Sequence, residues 1–418
     1  MAEKTDVLII GGGVIGVCAA LFLSRAGQKV ALIEKDEICA GASHGNACWV
    51  ATGYALPTAA PGVLGQGLKW MLDSGSPFYI KPRLNLDLAK WLWAFTQACT
   101  HSRMIKGANT LLQLNRQSLA LFRELSAEPS LAFGFHEAGL LHLHLSEKYR
   151  QAGEKEAAEL RNLGVKAISL NRDGLEELEP KLQSDVHSGI FFPEHAHLNP
   201  RQFTQGVAGL AEKEGATILT KTEVIQFEHF GSRLQTVETT NGRFQPQEVV
   251  LAAGAWSSIL AKKMGAPILM EPAKGYSVTV KKQSTTQGPT RPLAVDDSKV
   301  AITPLGNERF RFSSTLELAG FDLSINQKRL AVNRDALKTV LPDMDKLDVE
   351  ETWAGFRPLT PDGLPYIGRS EQIHNLIFAT GHGMLGITQG PITGKLVTAI
   401  INRETTTIDL APLKPERY

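Results

Sequence analysis

Val7 to Ser24 is uncharged over 18 residues, about the length that spans a bilayer, but its apolar pattern changes character in the middle. Asp6-Val7-Leu8-Ile9-Ile10 is a short β-branched run suited to a buried parallel strand, Gly11, Gly12 and Gly13 interrupt it, and Val14 to Ala26 carries helical apolar spacing closed by Gly27. Lys29-Val30-Ala31-Leu32-Ile33 predicts a second strand ending at Glu34. Strand, turn, helix and strand account for the segment better than a membrane span does. Glu3, Lys4 and Asp6 ahead of it do not make the positive region of a signal peptide.

The same theme returns later in the chain. Pro200 to Lys213 has helical spacing and is followed by strand-like runs at Gly215 to Leu219 and Thr222 to Ile225. Glu248 to Ala252 is an apolar strand entering the small-residue turn Ala253-Gly254-Ala255-Trp256-Ser257, and Asn375 to Thr380 enters GHGMLGIT ahead of a helix predicted over Pro391 to Asn402. Between these stretches, Leu140 to His144 and Tyr276 to Val280 alternate as strands of an antiparallel layer do. The pattern predicts an α/β (α+β) protein of two interleaved domains. One is a discontinuous Rossmann-type nucleotide domain from 1–48, 198–263 and 352–418, the other an antiparallel-sheet domain from 49–197 and 264–351, with the ligand cleft between them.

With 418 residues, 43% hydrophobic and 21% charged, the chain is long enough for a large core. Forty-four Lys plus Arg against 43 Asp plus Glu leave a formal charge of +1 and no basic stripe, so nucleic acid is not an expected partner. Cys18, Cys39, Cys48 and Cys99 form no CxxC pair, which argues against a disulfide framework and for a reducing compartment.

The first turn reads GGGVIG and sets Gly11, Gly13 and Gly16 in G-x-G-x-x-G spacing. The three glycines serve a tight turn, close backbone approach to a pyrophosphate, and close helix-to-strand contact. The helix start offers free N–H groups to phosphate, and Glu34 stands where a carboxylate can accept from a ribose diol. Glycines also occur in plain turns, but here both strands, the helix and the acid accompany them. This predicts a dinucleotide without separating NAD from FAD. The stretch after Glu34, EKDEICAGASHGNA, reads either as a surface loop or as a glycine-rich approach to the cofactor.

Five ordered segments carry a more specific signal: GGGVIG with Glu34, the GASHGNA loop, VVLAAGAWS, WAGFRPLTPDGLPYIG from Trp353 to Gly368, and GHGMLGIT from Gly381 to Thr388. Through them the chain resembles the FAD-dependent amine and amino acid oxidoreductases of the D-amino acid oxidase superfamily over most of its length. The run Gly45 to Leu72 is most similar to the bacterial D-amino acid dehydrogenase branch. The resemblance implies a glutathione-reductase-like FAD domain with an antiparallel substrate domain, and oxidation of a D-amino acid to an imino acid that hydrolyses to a keto acid and ammonia. It places Gly11, Gly13, Val14, Ile15, Gly16, Glu34 and Lys35 on the ADP moiety, and Ala42, Ser43, His44, Asn46 and Ala47 along the pyrophosphate and flavin. Val224 would hold the adenine, with Ala253, Gly254 and Trp256 in the adjoining turn, while Gly355, Gly383, Met384, Leu385, Gly386, Ile387 and Thr388 would flank the isoalloxazine. Arg357 matches the arginine that grips the substrate carboxylate. Some sarcosine-oxidising relatives attach flavin through a cysteine in the C-terminal half; this chain has none after Cys99, which implies noncovalent FAD, with linkage through His44 as the alternative.

Oxidising an α-carbon requires a fixed carboxylate and a Cα–H aimed at flavin N5. Arg357 suits the carboxylate because guanidinium binds it bidentately and stays charged. Tyr276 and, more weakly, Tyr54 are candidate hydrogen-bond donors to it, against the reading of Tyr276 as an ordinary sheet tyrosine. His44 and His382 are candidates for tuning the flavin or for structural roles. His142 with His144 and His195 with His197 raise a metal site, but no third ligand stands at a recognisable spacing, so no metal is expected. Asp362-Gly363 reads first as a turn. With one complete glycine fingerprint there is no second nucleotide site, so electrons are expected from the organic substrate and would leave to a quinone or dye-like acceptor, or to oxygen. Trp49, Trp70, Met71, Phe78, Tyr79, Trp91, Trp93 and Phe95, interleaved with Lys69, Lys81, Arg83 and Lys90, are mostly core by type. A partly exposed face among them would suit peripheral membrane contact. These readings make the chain a cytoplasmic enzyme, with the inner face of the cytoplasmic membrane as the place where quinone would be met. The alternatives are an oxidase of glycine, sarcosine or proline-like amines and, from another class, a non-catalytic nucleotide-binding subunit.

Overall fold

The computed structural model describes residues 2–63, 65, 78–281, 288–306, 308–338, 340, 341 and 347–418, without the side chains of 332–337. Two sheets organise it. The first runs Val224–Phe230, Arg233–Thr239, Gly242–Leu251, Glu3–Ile10, Val30–Ile33, Thr217–Leu219, and Leu376–Thr380 joins the far part of Gly242–Leu251 with Tyr366–Arg369 beyond it. Five of these strands are parallel: Leu376–Thr380, Gly242–Leu251, Glu3–Ile10, Val30–Ile33 and Thr217–Leu219.

Parallel strands are covered on both faces, which explains the unbroken apolar run at Val7 to Ile10. Val7 and Ile9 pack into a core with helices Val14–Arg25, Pro200–Lys213 and Gly386–Asn402, whereas Leu8 and Ile10 pack on the other face with Val237, Met264 and Tyr366. The helix predicted from Pro391 begins five residues earlier, at Gly386, and contains the proline.

The second sheet has nine strands in the order Asp348–Leu359, Glu271–Lys281, Arg309–Leu318, Val300–Leu305, Leu293–Val295, Leu140–His144, Ser188–Phe192, Ile168–Leu170, with Phe78–Ile80 beside Arg309–Leu318. It is antiparallel except for two pairs, Leu293–Val295 with Leu140–His144 and Arg309–Leu318 with Phe78–Ile80. The strand Asp348–Leu359 runs through the boundary expected at 352 and pairs down to Leu359 with Glu271. Trp353 to Leu359 therefore belong to the second sheet, and the chain passes to the first only at the turn before Tyr366. Lys69, Trp70 and Met71 lie outside the described residues.

Candidate functional site

A cavity of about 1350 Å³ opens between the two sheets. That exceeds the usual range for one drug-sized ligand, so it has room for a dinucleotide and a second molecule. At one end is the glycine turn. Gly11 has φ +118°, and a Cβ there would lie 2.5 Å from the Ala252 carbonyl oxygen, so only glycine lets the turn pass the neighbouring strand. Gly16 does not line the cavity. A Cβ there would strike the Gly11 carbonyl oxygen, which seats the helix on the turn as the spacing predicted. At Gly13 the nearest atom to such a Cβ is Ser43 Oγ at 3.3 Å, leaving an open face toward the cavity.

Val14 and Ile15 follow at the start of the helix, whose first N–H groups have no intrahelical acceptor. Ser43 Oγ accepts from Val14 N at 2.9 Å and ties the 40s loop to this helix end. Glu34 accepts from Gly12 N at 2.7 Å and from Asp36 N at 2.9 Å, which fixes its carboxylate at the tip of its strand on the cavity wall. Lys35 lies over the Trp256 ring at 5.3 Å, and Val224, Ala253 and Gly254 border the same end. An open glycine face, a helix N-terminus and a carboxylate beyond it form a donor and acceptor set that fits the ADP half of FAD.

In the middle, Ala42, Ser43, Asn46 and Ala47 line the cavity. Asn46 Nδ2 donates to the carbonyls of Ala42 and Ser43, and Arg311 pins the loop to the second sheet by donating from Nη1 to the His44 carbonyl at 2.6 Å. The His44 side chain is a correction to the expectation. It does not border the cavity; its Nε2 is hydrogen-bonded to Glu351 Oε1 at 2.7 Å and its ring meets Trp353 edge-on. Gly355 and the run Gly383 to Thr388 form the opposite wall, with the N-terminus of helix Gly386–Asn402 facing it. Thr388 Oγ1 accepts from Ala51 N at 3.0 Å and donates to the Trp49 carbonyl at 3.2 Å. His382 borders the cavity as well; it is bound to Thr393 Oγ1 at 2.9 Å, and burial pushes its pKa down to about 3, so it stays neutral.

Arg357 also lines the cavity. Gly275 faces Gly355 across the strand pair, and the space a Gly275 side chain would fill is taken by the Arg357 guanidinium. Nη1 donates to the Thr315 carbonyl at 3.0 Å, and among the described residues no carboxylate pairs with Arg357. It is half-buried on the cavity wall, and burial lowers its pKa, the cost of a guanidinium held without a counter-ion. Tyr54 shares the cavity. Burial raises its pKa first, the charges of Glu156 and Asp296 raise it further, and Arg357 lowers it, so the phenol stays protonated within reach of both charge types.

Tyr276 is the second correction. Although it borders the cavity, strand alternation puts its side chain on the face opposite Gly275. There its hydroxyl donates to Glu317 Oε1 at 2.8 Å and accepts from Asn326 N at 3.2 Å, which leaves no proton to donate to a substrate carboxylate. The H-x-H pairs also disperse. His142 and His144 turn to Asp296, whereas His195 Nε2 accepts from Gly53 N at 2.8 Å and His197 faces His136. Among the described residues no cluster of three or more His, Cys, Asp or Glu is arranged to hold a metal. Sequence reasoning did not reach Arg311, Glu351 or the group around Glu156, which depend on contacts between strands far apart in the chain.

Comparison with known proteins agrees with this geometry. Residues 6–400 match the family described as DAO, FAD dependent oxidoreductase. A D-amino acid dehydrogenase of Granulibacter bethesdensis is 33% identical over 419 residues, 99% of this chain and 99% of that protein, and one of Neisseria meningitidis is 31% identical over 416 residues with the same coverage. Among solved structures, glycine oxidase from Geobacillus kaustophilus superposes with a TM-score of 0.81 at 25% identity over 100% of both chains. L-proline dehydrogenase from P. horikoshii, at 21% identity over 100% of this chain and 98% of its own, shares the fold with a TM-score of 0.77.

Proposed function

The chain belongs to the DAO family of FAD-dependent oxidoreductases, and from that premise we propose that it oxidises D-amino acids and passes the electrons to a quinone or similar acceptor. The observation that carries the reading is Arg357, a guanidinium without an acidic partner on the wall of the cavity that also holds the glycine turn. The preference for the D hand rests on the dehydrogenase relatives.

Bound FAD, held noncovalently, supplies a two-electron acceptor. The chain's residues do the rest. Arg357 binds the substrate carboxylate through its planar fork, and the Tyr54 hydroxyl, which has no hydrogen-bond partner among the described residues, orients the bound amino acid. The N-terminus of helix Gly386–Asn402 makes its part of the cavity electropositive, suited to negative charge gained on reduction. The Cα–H bond breaks with its electron pair leaving toward the acceptor, the amine loses one proton, and the resulting imine takes up water to give a keto acid and ammonia. Orientation carries the rate, and no side chain is needed as a dedicated base.

Leu84 and Leu86 stand out from the surface at 109% and 81% exposure, with Trp93 at 69%, and Lys81 and Lys90 are exposed beside them. On helix Leu86–Ala98 the buried positions are Leu88, Trp91, Ala94 and Ala98, so Leu86, Lys90 and Trp93 share the outer face. Apolar tips among lysines suit a membrane surface, where quinone resides. Among the described residues no helix is long and apolar enough to cross a membrane.

Anaerobic mixing with D- and L-amino acids tests the reading. D-amino acids should bleach the flavin absorbance, and a quinone or dye should restore it where NAD does not. Failure of every D-amino acid to bleach the flavin overturns the proposal. The glycine oxidase likeness supports a second reading, and steady hydrogen peroxide release with glycine or sarcosine would favour it.

A further inference from the structure

The cavity has a polar end that the carboxylate site does not use, bordered by Glu156, Asp296, His142 and Lys299. Glu156 stands on helix Glu147–Asn162, one turn past Gly153. A Cβ on Gly153 would lie 2.7 Å from His144 Cε1, so the glycine lets this charged helix sit close against the strand Leu140–His144. That seating brings a carboxylate from a mostly solvated helix to the cavity.

The two acids there differ. Asp296 is engaged, with His142 Nδ1 at 3.2 and 3.3 Å from its two oxygens and His144 Nε2 at 3.3 Å. Burial would raise its pKa, but His142, His144 and Lys299 outweigh that and hold it below the usual carboxylate range. His142 shifts the other way. Burial opposes its charge, and Asp296 with Glu156 overcomes this, so the pair behaves as a closed ion pair. Glu156 has no hydrogen bond or ion pair among the described residues. Its side chain is exposed at the cavity wall, and neighbouring protein still raises its pKa against the charges of His142 and Lys299. Lys299 does not close on it and instead sits over the Tyr149 ring at 5.5 Å.

A carboxylate that lines the cavity with no hydrogen bond or ion pair among the described residues is free to accept from a cationic group that enters. Tyr54 lines the same cavity as Arg357 and Glu156, and the charges of both act on its phenol. Ala294 and Trp49 line the cavity as well and offer apolar surface to a methylene chain. We infer that Glu156 receives the positively charged end of the substrate side chain, so that an amino acid clamped by its carboxylate on Arg357 extends an ammonium or guanidinium group to Glu156. The inference rests on the amino acid reading above and narrows it to lysine-like and arginine-like substrates.

The test compares kcat/KM per bound flavin for D-lysine and D-arginine with D-norleucine, a neutral side chain of similar length, using a dye as acceptor. The wild type should favour the cationic substrates. Glu156→Gln should lower the D-lysine to D-norleucine ratio by at least about tenfold, the loss of one charge-assisted contact. Glu156→Lys should reverse the order so that D-glutamate exceeds D-lysine. Because each value is a ratio within one protein, partial misfolding cancels. A wild type that favours D-norleucine, or a ratio unmoved by Glu156→Gln while neutral D-amino acids still bleach the flavin, overturns this inference and leaves the parent reading standing. If no amino acid of either hand bleaches the flavin, the parent reading falls and this one with it.

Discussion

Gly275→Ala should disable the carboxylate clamp while leaving the protein folded. A Cβ at 275 would overlap Arg357 Nη1 outright and lie 2.6 Å from Cζ and 2.8 Å from Nη2, whereas ordinary contact is about 3.5 Å, so the guanidinium must retreat by about 1.5 Å. Gly275 has no positive φ, so alanine brings no backbone strain. The colliding group is the far end of a flexible side chain whose hydrogen bond among the described residues is the one to Thr315. The stability cost should therefore stay near the low end of overpacking, about 1 kcal/mol, or a fall in Tm of no more than about 3 °C. Function should suffer far more, because a misplacement of about 1 Å can cost about a hundredfold in rate. Steady-state kcat/KM for an amino acid should fall about a hundredfold, while the amine lacking the carboxylate changes little and flavin per chain stays near normal. Arg357→Lys and Arg357→Ala calibrate the result, with graded losses of about tenfold to over a hundredfold. Wild-type kcat/KM and undiminished preference for the acid in Gly275→Ala would refute the placement of the substrate carboxylate on Arg357.

Three further outcomes are expected. Gly13→Val should fold yet lose FAD, since its Cβ would enter the open face beside Ser43, whereas Gly16→Val should lose the fold because its Cβ strikes the Gly11 backbone; flavin absorbance and circular dichroism together distinguish them, and full FAD on Gly13→Val would move the cofactor site. Burial holds His195 and His382 at about 3 and His197 at about 4, so the unfolded chain binds protons that the folded chain refuses. Stability should be intact above about pH 6.5 and fall as the pH drops toward 4, by up to about 1.4 kcal/mol per pH unit per histidine, read as Tm between pH 7.5 and 5; a Tm that rises on acidification would contradict this. Leu86→Glu with Trp93→Glu should abolish co-sedimentation with anionic vesicles without changing dye-linked turnover, and unaltered vesicle binding would remove that surface from the membrane reading.

The nucleotide half was legible because its signals are local. Gly11, Gly13, Gly16 and Glu34 fall within one strand-turn-helix-strand unit, and each glycine has its own steric reason. The start of helix Gly386–Asn402 was not legible. Gly386, Gly390 and Pro391 discourage a helix locally, but Gly390 and Gly394 let it pack onto Val14 and Cys18, and a Cβ at Gly394 would lie 2.6 Å from the Cys18 carbonyl oxygen. Tertiary contact overrides propensity there. Tyr276 was misassigned because sequence does not fix register. With Gly275 opposite Gly355, the next residue must point away. Glu156 had no signal at all, one of four glutamates on a polar helix, until the fold set its neighbours.

The order in which the first sheet is assembled has a consequence for how the enzyme is made. Its glycine turn emerges early in synthesis, but the central strand Gly242–Leu251 and the strand Leu376–Thr380 that completes the sheet come far later. Gly16 and Gly386, which hold opposite parts of the cavity wall in place, are about 370 residues apart. At about 5–20 residues per second, between roughly 20 and 75 seconds separate their synthesis. Until Gly242–Leu251 emerges, about two thirds of the way through that interval, Glu3–Ile10, whose Val7 to Ile10 half is buried on both faces, lacks its neighbour across the sheet and exposes an unpaired edge, the state most open to misassociation and to chaperone capture. Flavin can find a complete berth only on a nearly finished chain, so cofactor supply would act on the last step of folding and favour recovery of whole molecules over nascent ones.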